Sequence, residues 1–160
     1  KRAINVVAEA LECLGGNGYV EESIMPRLYR DVPVNSIWEG SGNVQCLDVL
    51  RSMEKEPESM EALMIELNAA KNLNKNYDAF LKNIEKELFD KSALELRARG
   101  IVEKLALALL AGTLLKTTPE FVADSFCNTR LTDEMHLSFG TLSNSKNIDS
   151  LIERANPHTH

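Results

Sequence analysis

The sequence predicts an all-α protein in which helical hairpins pack as a bundle. Apolar residues recur at the three- and four-residue spacing of a helix face, as in Met60, Leu63, Met64 and Leu67. Strand-like alternation is weak throughout the sequence, and Phe139–Leu142 is the only short candidate for a strand. With 160 residues, the chain can bury a core without a disulfide or a metal ion.

Predicted helices frame a glycine-rich segment in the first third of the chain. We expect one helix to end at Leu14 and another, capped by Ser41, to cover Gly42–Ser52. Between them, Gly15–Gly40 contains four glycines and two prolines, which predicts an irregular loop. Binding residues concentrate in loops that rigid elements hold, so we expect the functional residues in this segment.

The middle of the chain predicts a helical hairpin. Pro57 suits the first position of the helix that carries Met60, and Asn72–Asn76 is a polar break that ends it. A second apolar stripe follows and predicts the returning helix. Its members are Tyr77, Phe80, Leu81, Ile84 and Leu88.

Three further helices are expected. Ser92 is the predicted N-cap of a long helix over Ala93–Lys116, whose end is apolar on most faces and should lie centrally in the bundle. Thr118–Pro119 suits the N-cap and first position of a helix that runs to about Asn128. A small helix is expected near Ile148–Arg154.

We divide the chain into a glycine-rich helical region, residues 1–55, and a helical C-terminal extension that packs with it, residues 56–160. The sequence opens at Lys1 in what reads as the middle of a helix. We therefore expect a C-terminal piece of a longer protein.

Charge and hydropathy exclude several classes. Lys and Arg number 18 and Asp and Glu number 24, which gives a formal net charge of −6 and argues against a general nucleic-acid binder. The most apolar stretch, Leu105–Leu115, is too short to cross a bilayer, so no membrane partner is expected. The cysteines, Cys13, Cys46 and Cys127, have apolar neighbours and predict buried, reduced thiols in a cytoplasmic protein.

No metal site is predicted. The histidines, His136, His158 and His160, show no spacing that would bring metal ligands together. Asp124 and Glu134, together with His136, are better explained by helix-end and loop roles than by catalysis.

Two clusters in the first third could carry chemistry. ECLGGNGYV (Glu12–Val20) suits a helix stop, although paired glycines also let a phosphate approach backbone N–H groups. NSIWEGSGNVQ (Asn35–Gln45) suits a capped helix with a packed Trp38 and a solvated Glu39. The simpler interpretation is favoured, although the cluster also suits an anion site at a helix N-terminus beside a glutamate that partial loss of water makes a stronger base.

The order and separation of both clusters resemble the acyl-CoA dehydrogenase family. EALECLGGNGYVEES, MPRLYRDVPVNSIWEGSGNVQCLDVLR and FVADSFCNTRL are similar to its AidB-like, alkylation-response branch. The family signature has counterparts here at Glu12, Gly15, Gly16, Gly18, Tyr19, Glu22, Arg27 and Asp31.

The resemblance implies a role for individual residues. Glu39 would be the catalytic base that removes the α-proton of an acyl-CoA, with FAD as hydride acceptor. Trp38 would lie near the flavin. Ser41 and Asn43 would contact FAD near its pyrophosphate, and Glu12 and Gly16 would face the adenosine–phosphate arm of the FAD of a neighbouring subunit. The family more often has glutamine at the position of Glu12 and threonine at that of Ser41.

The resemblance also implies partners. The family forms dimers or tetramers with a shared cofactor site, and it builds most of the flavin pocket from N-terminal and middle domains. We therefore expect the isolated fragment to be inactive and to lack FAD.

Two alternatives remain open. One is a non-catalytic or weakly active flavin-binding alkylation-stress protein that associates with DNA, for which the group Arg97, Arg99 and Lys104 offers only modest positive charge. The other is a helical oligomerisation module.

Overall fold

The computed structural model describes residues 1–132, 139–140, 142 and 147–157. These residues form helices and connecting segments without a strand, which confirms the all-α prediction. The chain divides into two compact units, Lys1–Val49 and Leu50–His160. The elements are α1 (Arg2–Cys13), α2 (Gly16–Tyr19), α3 (Met25–Asp31), a 3₁₀ helix (Val32–Ser36), α4 (Gly42–Lys55), α5 (Pro57–Asn68), α6 (Lys75–Phe89), α7 (Leu94–Thr117), α8 (Glu120–Arg130) and α9 (Ile148–Ala155).

The first unit is a layer of helices with almost no interior. Helix α1 contacts α2, α3 and the 3₁₀ helix. Within residues 1–49, all of which the structure describes, only Gly18 and Pro26 are buried. Large apolar side chains are exposed along the unit, namely Val6, Leu14, Tyr19, Val20, Ile24, Leu28, Tyr29, Val34, Ile37, Trp38 and Val44. This unit therefore presents an apolar surface rather than enclosing one.

The second unit encloses a core around α7. Helix α7 contacts α5, α6 and α8, which confirms the central position predicted for it. The two predicted stripes supply the facing helices: Leu67 from α5 and Tyr77, Leu81 and Ile84 from α6 are buried. The remaining members of the buried cluster are Ala70, Ile101, Leu105, Leu107, Ala108, Ala111, Cys127 and Leu131.

Tyr77 is a fully buried member of this core and packs closely against α7. Its side chain is fully buried, and its hydroxyl donates to the carbonyl oxygen of Leu67 at 2.7 Å. Burial is the main cause that raises the pKa of Tyr77 to about 12. A Cβ on Gly112 would lie 3.0 Å from the Tyr77 hydroxyl, so a glycine in α7 admits the ring.

Asn74, which the sequence placed inside a polar break, is the N-cap of α6. Its side-chain oxygen accepts from the backbone N–H groups of Asn76 and Tyr77 at 2.9 and 3.2 Å. Its amide nitrogen donates to Asp124 of α8 at 2.8 Å. The predicted break Asn72–Asn76 is therefore too long at its end, because α6 begins at Lys75.

Two predicted N-caps are wrong by one residue or more. Helix α7 begins at Leu94 after Ala93, which has a left-handed backbone with φ +48°, and the Ser92 hydroxyl donates to Asp90 instead of capping a helix. Helix α8 begins at Glu120 with Pro119 as N-cap residue. The Thr118 hydroxyl donates back to the Leu114 carbonyl, so Thr118 ends α7 rather than opening α8.

The glycine-rich segment is not the irregular loop that was predicted. Between Gly15 and Gly40 the chain forms α2, α3 and the 3₁₀ helix, because Pro26 and Pro33 each lie near the first turn of a helix. Helix α4 begins at Gly42 as predicted but continues to Lys55. The described positions of the strand candidate, Phe139, Gly140 and Leu142, do not form a strand.

The cysteine prediction is only partly correct. All three thiols are free, but Cys13 is exposed, Cys46 is half-buried and only Cys127 is buried. Among the described residues, no helix combines the length and apolar character needed to cross a membrane.

We expect Tyr77→Phe to lower the free energy of unfolding by about 1–2 kcal/mol, because the buried Leu67 carbonyl loses its 2.7 Å bond from the hydroxyl and keeps only the 3.3 Å bond from the Ala70 N–H. Urea unfolding followed by circular dichroism measures the change. Tyr19→Phe is the matched control, since that side chain is 78% exposed and should change little. Equal effects of both substitutions would contradict the assigned role of the Tyr77 hydroxyl.

We expect thiol labelling to separate the cysteines. Burial raises the pKa of Cys127 to about 11, so at pH 8 this thiol is both shielded and protonated. Cys13 should react with a chromogenic disulfide at the rate of a free thiol, whereas Cys127 should react only as the second unit unfolds. Rapid labelling of Cys127 in the folded chain would show that the core opens locally.

Candidate functional site

The glycine turn after α1 is set by a close backbone approach. A Cβ on Gly18 would lie 2.2 Å from the Leu11 carbonyl oxygen, a separation that no side chain can occupy. Gly15 begins the turn with φ +56°, which glycine adopts without strain. Gly16 is different, because a Cβ there would meet nothing within 4 Å. The turn therefore needs glycine at position 18 for packing and leaves position 16 open to a ligand.

Glu39 lies just beyond the 3₁₀ helix on a tightly held backbone. The N–H groups of Ile37 and Trp38 both donate to the Val34 carbonyl, at 2.9 and 3.0 Å. Gly40 follows with φ +118°, so the chain reverses directly after Glu39 into α4.

Gln45 provides a further tie that the sequence did not predict. Its side-chain amide donates to the backbone carbonyl of Glu39 at 2.8 Å. The position of Gln45 in the first turns of α4, six residues after the glutamate, was a weak signal for such a bond. Because this bond goes to the backbone oxygen, it does not involve the Glu39 carboxylate.

The side chains of this segment face outward. Glu39 is exposed and Trp38 is 68% exposed, so within this chain Trp38 does not shield the carboxylate from water. Ser41 and Asn43 are also exposed and flank the start of α4. The backbone bond from Gln45 N–H to the Ser41 carbonyl begins the helix, so the N–H groups before it belong to the open first turn.

A cleft of about 750 Å³ lies beside the glycine turn. Its walls come from α1, the segment after α2, and α3, and they include Glu12, Tyr19, Glu22 and Tyr29. Arg30 donates across it to both carboxylate oxygens of Glu21, at 2.7 and 3.1 Å. The remaining lining residues are Ala8, Leu11, Val20 and Pro26.

The charges in this cleft are mainly negative. Three glutamates and one arginine line it, and the hydrogen bond from Arg30 lowers the pKa of Glu21, which stays ionised. An anion would be repelled at Glu12, because the positive charge of Arg30 is already shared with Glu21. The cleft thus differs from the open turn at Gly16, where backbone faces outward.

The predicted site residues all belong to the first unit. Glu12 and Gly16 lie on α1 and α2, and α1 contacts both α3 and the 3₁₀ helix that leads to Glu39. His136, His158, His160 and Glu134 lie outside the described residues. Within the part of the chain that the structure describes, no group of histidine, cysteine and acidic residues could hold a metal ion.

We expect Gly18→Ala to impair folding and Gly16→Ala to leave it unchanged. The first forces a Cβ against the Leu11 carbonyl and should destabilise the first unit by about 1–3 kcal/mol, whereas the second should fold normally. Amide hydrogen exchange over residues 5–20 measures the difference. Equal protection in both variants would contradict the close approach at Gly18.

Comparison with known proteins finds a family match that covers the first unit. Residues 1–54 match the sequence model of the acyl-CoA dehydrogenase C-terminal domain. AidB of Escherichia coli (strain K12) is 42% identical over 131 residues, which are 82% of this chain and 24% of that protein. Isovaleryl-CoA dehydrogenase of Arabidopsis thaliana is 38% identical over 56 residues, 35% of this chain and 14% of that protein.

A nematode protein is more similar over a shorter length. Acyl-CoA dehydrogenase family member 11 of Caenorhabditis elegans is 53% identical over 51 residues, which are 32% of this chain and 8% of that protein. The chain thus spans about a quarter of the length of AidB and less of the others. The similarity to AidB extends well beyond the 54 matched residues. The chain therefore carries an acyl-CoA dehydrogenase C-terminal domain at residues 1–54, and its similarity to AidB covers 82% of its length.

Proposed function

We propose that this chain supplies the catalytic base and part of the cofactor site of an FAD-dependent acyl-CoA dehydrogenase. The observation that carries the proposal is the presentation of Glu39. Its backbone is fixed by Gln45 and by the turn at Gly40, while its carboxylate is exposed on an apolar face. Such an arrangement suits a base that is positioned here and covered by other parts of the assembly.

Part of the predicted cofactor site fits a diphosphate. The open backbone at Gly16 and the first turn of α4 beside Ser41 and Asn43 offer N–H groups of the kind that bind phosphate. Glu12 fits less well, because it lines a cleft that already holds two other glutamates. We therefore propose Gly16, Ser41 and Asn43 as the contacts to FAD, with Trp38 near the flavin ring.

Glu39 would take the proton from the α-carbon of an acyl thioester. Bound FAD supplies the acceptor for the hydride from the β-carbon, and an α,β-double bond results. For Glu39 to act efficiently, water must be excluded around its carboxylate. The exposed side chains of Ile37 and Trp38 offer an apolar surface against which such a dry pocket can close.

The first unit needs partners to become a site. Its apolar surface is exposed and only two of its residues are buried. We propose that the N-terminal and middle domains of the whole protein, together with a second subunit of a dimer or tetramer, cover this surface. The isolated chain should then hold no flavin and catalyse no oxidation. Three free thiols further suit a protein of the reducing cytoplasm.

The DNA alternative has weaker support. Two of the three residues in the basic group are already engaged, since Lys104 pairs with Glu87, and Arg97 donates to the carbonyls of Asp90 and Ser92. A mobility-shift assay with duplex DNA at low salt tests the idea on the whole protein. The oligomerisation alternative is compatible with the apolar surface of the first unit and does not compete with the enzyme proposal.

We expect Glu39→Gln in the whole flavin-containing protein to slow acyl-CoA oxidation by roughly 10²- to 10⁴-fold, because the amide cannot accept the α-proton. Rates are measured with an electron acceptor after the flavin content has been matched by absorbance.

Glu61→Gln is the matched control, since this exposed glutamate lies on α5 in the second unit. An unchanged rate in the Glu39 variant would remove Glu39 from the role of base. Failure of acyl-CoAs to bleach the flavin of the unaltered protein would overturn the dehydrogenase function itself.

A further inference from the structure

Arg30 makes a two-pronged contact that joins separate elements. It lies in α3, and both of its terminal nitrogens donate to Glu21, at 2.7 and 3.1 Å. Nine residues separate the partners, so the pair is not a neighbour contact along one helix. A planar guanidinium can bind both oxygens of one carboxylate at once, which fixes direction as well as distance.

The pair ties α3 to the non-helical stretch between the two functional motifs, because Glu21 itself lies in that stretch. After α2 ends at Tyr19, residues 20–24 are non-helical, and α3 begins at Met25. Local bonds across this stretch are longer: Ser23 N–H donates to Val20 and Met25 N–H donates to the Ser23 hydroxyl, both at 3.3 Å. The contact of Arg30 with Glu21 is shorter than both of these bonds, and it fastens the start of the connection to α3.

The elements on either side of this stretch are held firmly. On one side, the turn at Gly18 rests on the Leu11 carbonyl of α1. On the other, α3 continues without a break into the 3₁₀ helix Val32–Ser36, which leads directly to Glu39. A change in the angle across residues 20–24 would thus shift Glu39 relative to the open turn at Gly16.

We propose that Arg30 and Glu21 are a positioning pair that sets the glycine turn in register with the segment carrying Glu39. This inference rests on the proposed function, because both ends of the pair serve the site described there. The pair is exposed, with 59% and 72% of the two side chains accessible, so it contributes little to global stability. Its effect lies in geometry, where small displacements of reacting groups are costly.

The test uses the whole flavin-containing protein with Arg30→Lys, Arg30→Gln, Glu21→Gln and the exchange Glu21→Arg with Arg30→Glu. Each single change should lower kcat/KM roughly ten- to hundredfold with little change in Tm, because the pair no longer fixes direction. Lysine should not restore the rate, since it binds as a point charge. The exchange should recover most of the loss.

A readout independent of activity accompanies the rates. Amide hydrogen exchange over residues 16–24 should quicken in each single variant and return toward the original rate in the exchanged protein. Lys71→Gln is the control, because it breaks an exposed ion pair with Glu85, 3.1 Å long, in the second unit. It should change neither the exchange over residues 16–24 nor the rate.

The outcomes distinguish this inference from the proposed function. The positioning pair would be overturned if Arg30→Gln matched Lys71→Gln in both hydrogen exchange and oxidation rate. Full activity in Arg30→Lys would overturn it as well. Single variants that lose activity while the exchanged protein recovers none would also overturn it. If the unaltered protein oxidises no acyl-CoA, the proposed function fails. The hydrogen-exchange rates over residues 16–24 then decide by themselves whether the pair holds the turn.

Discussion

The contact between the Gly18 backbone and the Leu11 carbonyl oxygen is the constraint on which the first unit depends. No Cβ fits between them, so α2 lies directly against the last turns of α1. That contact decides where the chain leaves for α3, and α3 with the 3₁₀ helix decides where Glu39 emerges. The position of the site therefore depends first on a backbone contact that leaves no room for a side chain.

The two units solve the problem of stability in different ways. In the second unit, three helices pack around α7, and Tyr77 of α6 is buried against the small residues of α7. This unit therefore has a buried core of its own. The first exposes its apolar side chains and buries only Gly18 and Pro26. A surface that remains apolar and exposed costs solubility, so its position next to the candidate site residues supports our proposal that other parts of the whole protein cover it.

The sequence predicted most where burial leaves a periodic trace. The stripes on α5 and α6 and the central place of α7 were correct, because a helix in a core must repeat its apolar residues every three or four positions. Helix ends were less predictable, since Ser92 and Thr118 bond to other partners than the N–H groups of a following helix. In the site, Gln45 and Arg30 went unpredicted, because contacts between elements leave no spacing to detect.

Under the proposed function, the exposure of Glu39 has a reason: this chain fixes the position of the base, and other parts of the protein supply its environment. A base needs its backbone fixed before substrate arrives. The Gln45 side chain donates to the Glu39 carbonyl, and the backbone N–H groups just before Glu39 donate to the Val34 carbonyl, so the backbone is held without a contact to the carboxylate. It also needs a dry surrounding, which no exposed side chain can create for itself. A chain that fixes the position of Glu39 and leaves the exclusion of water to other domains links the basicity of this carboxylate to assembly. In an incomplete protein the carboxylate would stay solvated and would be only a weak base.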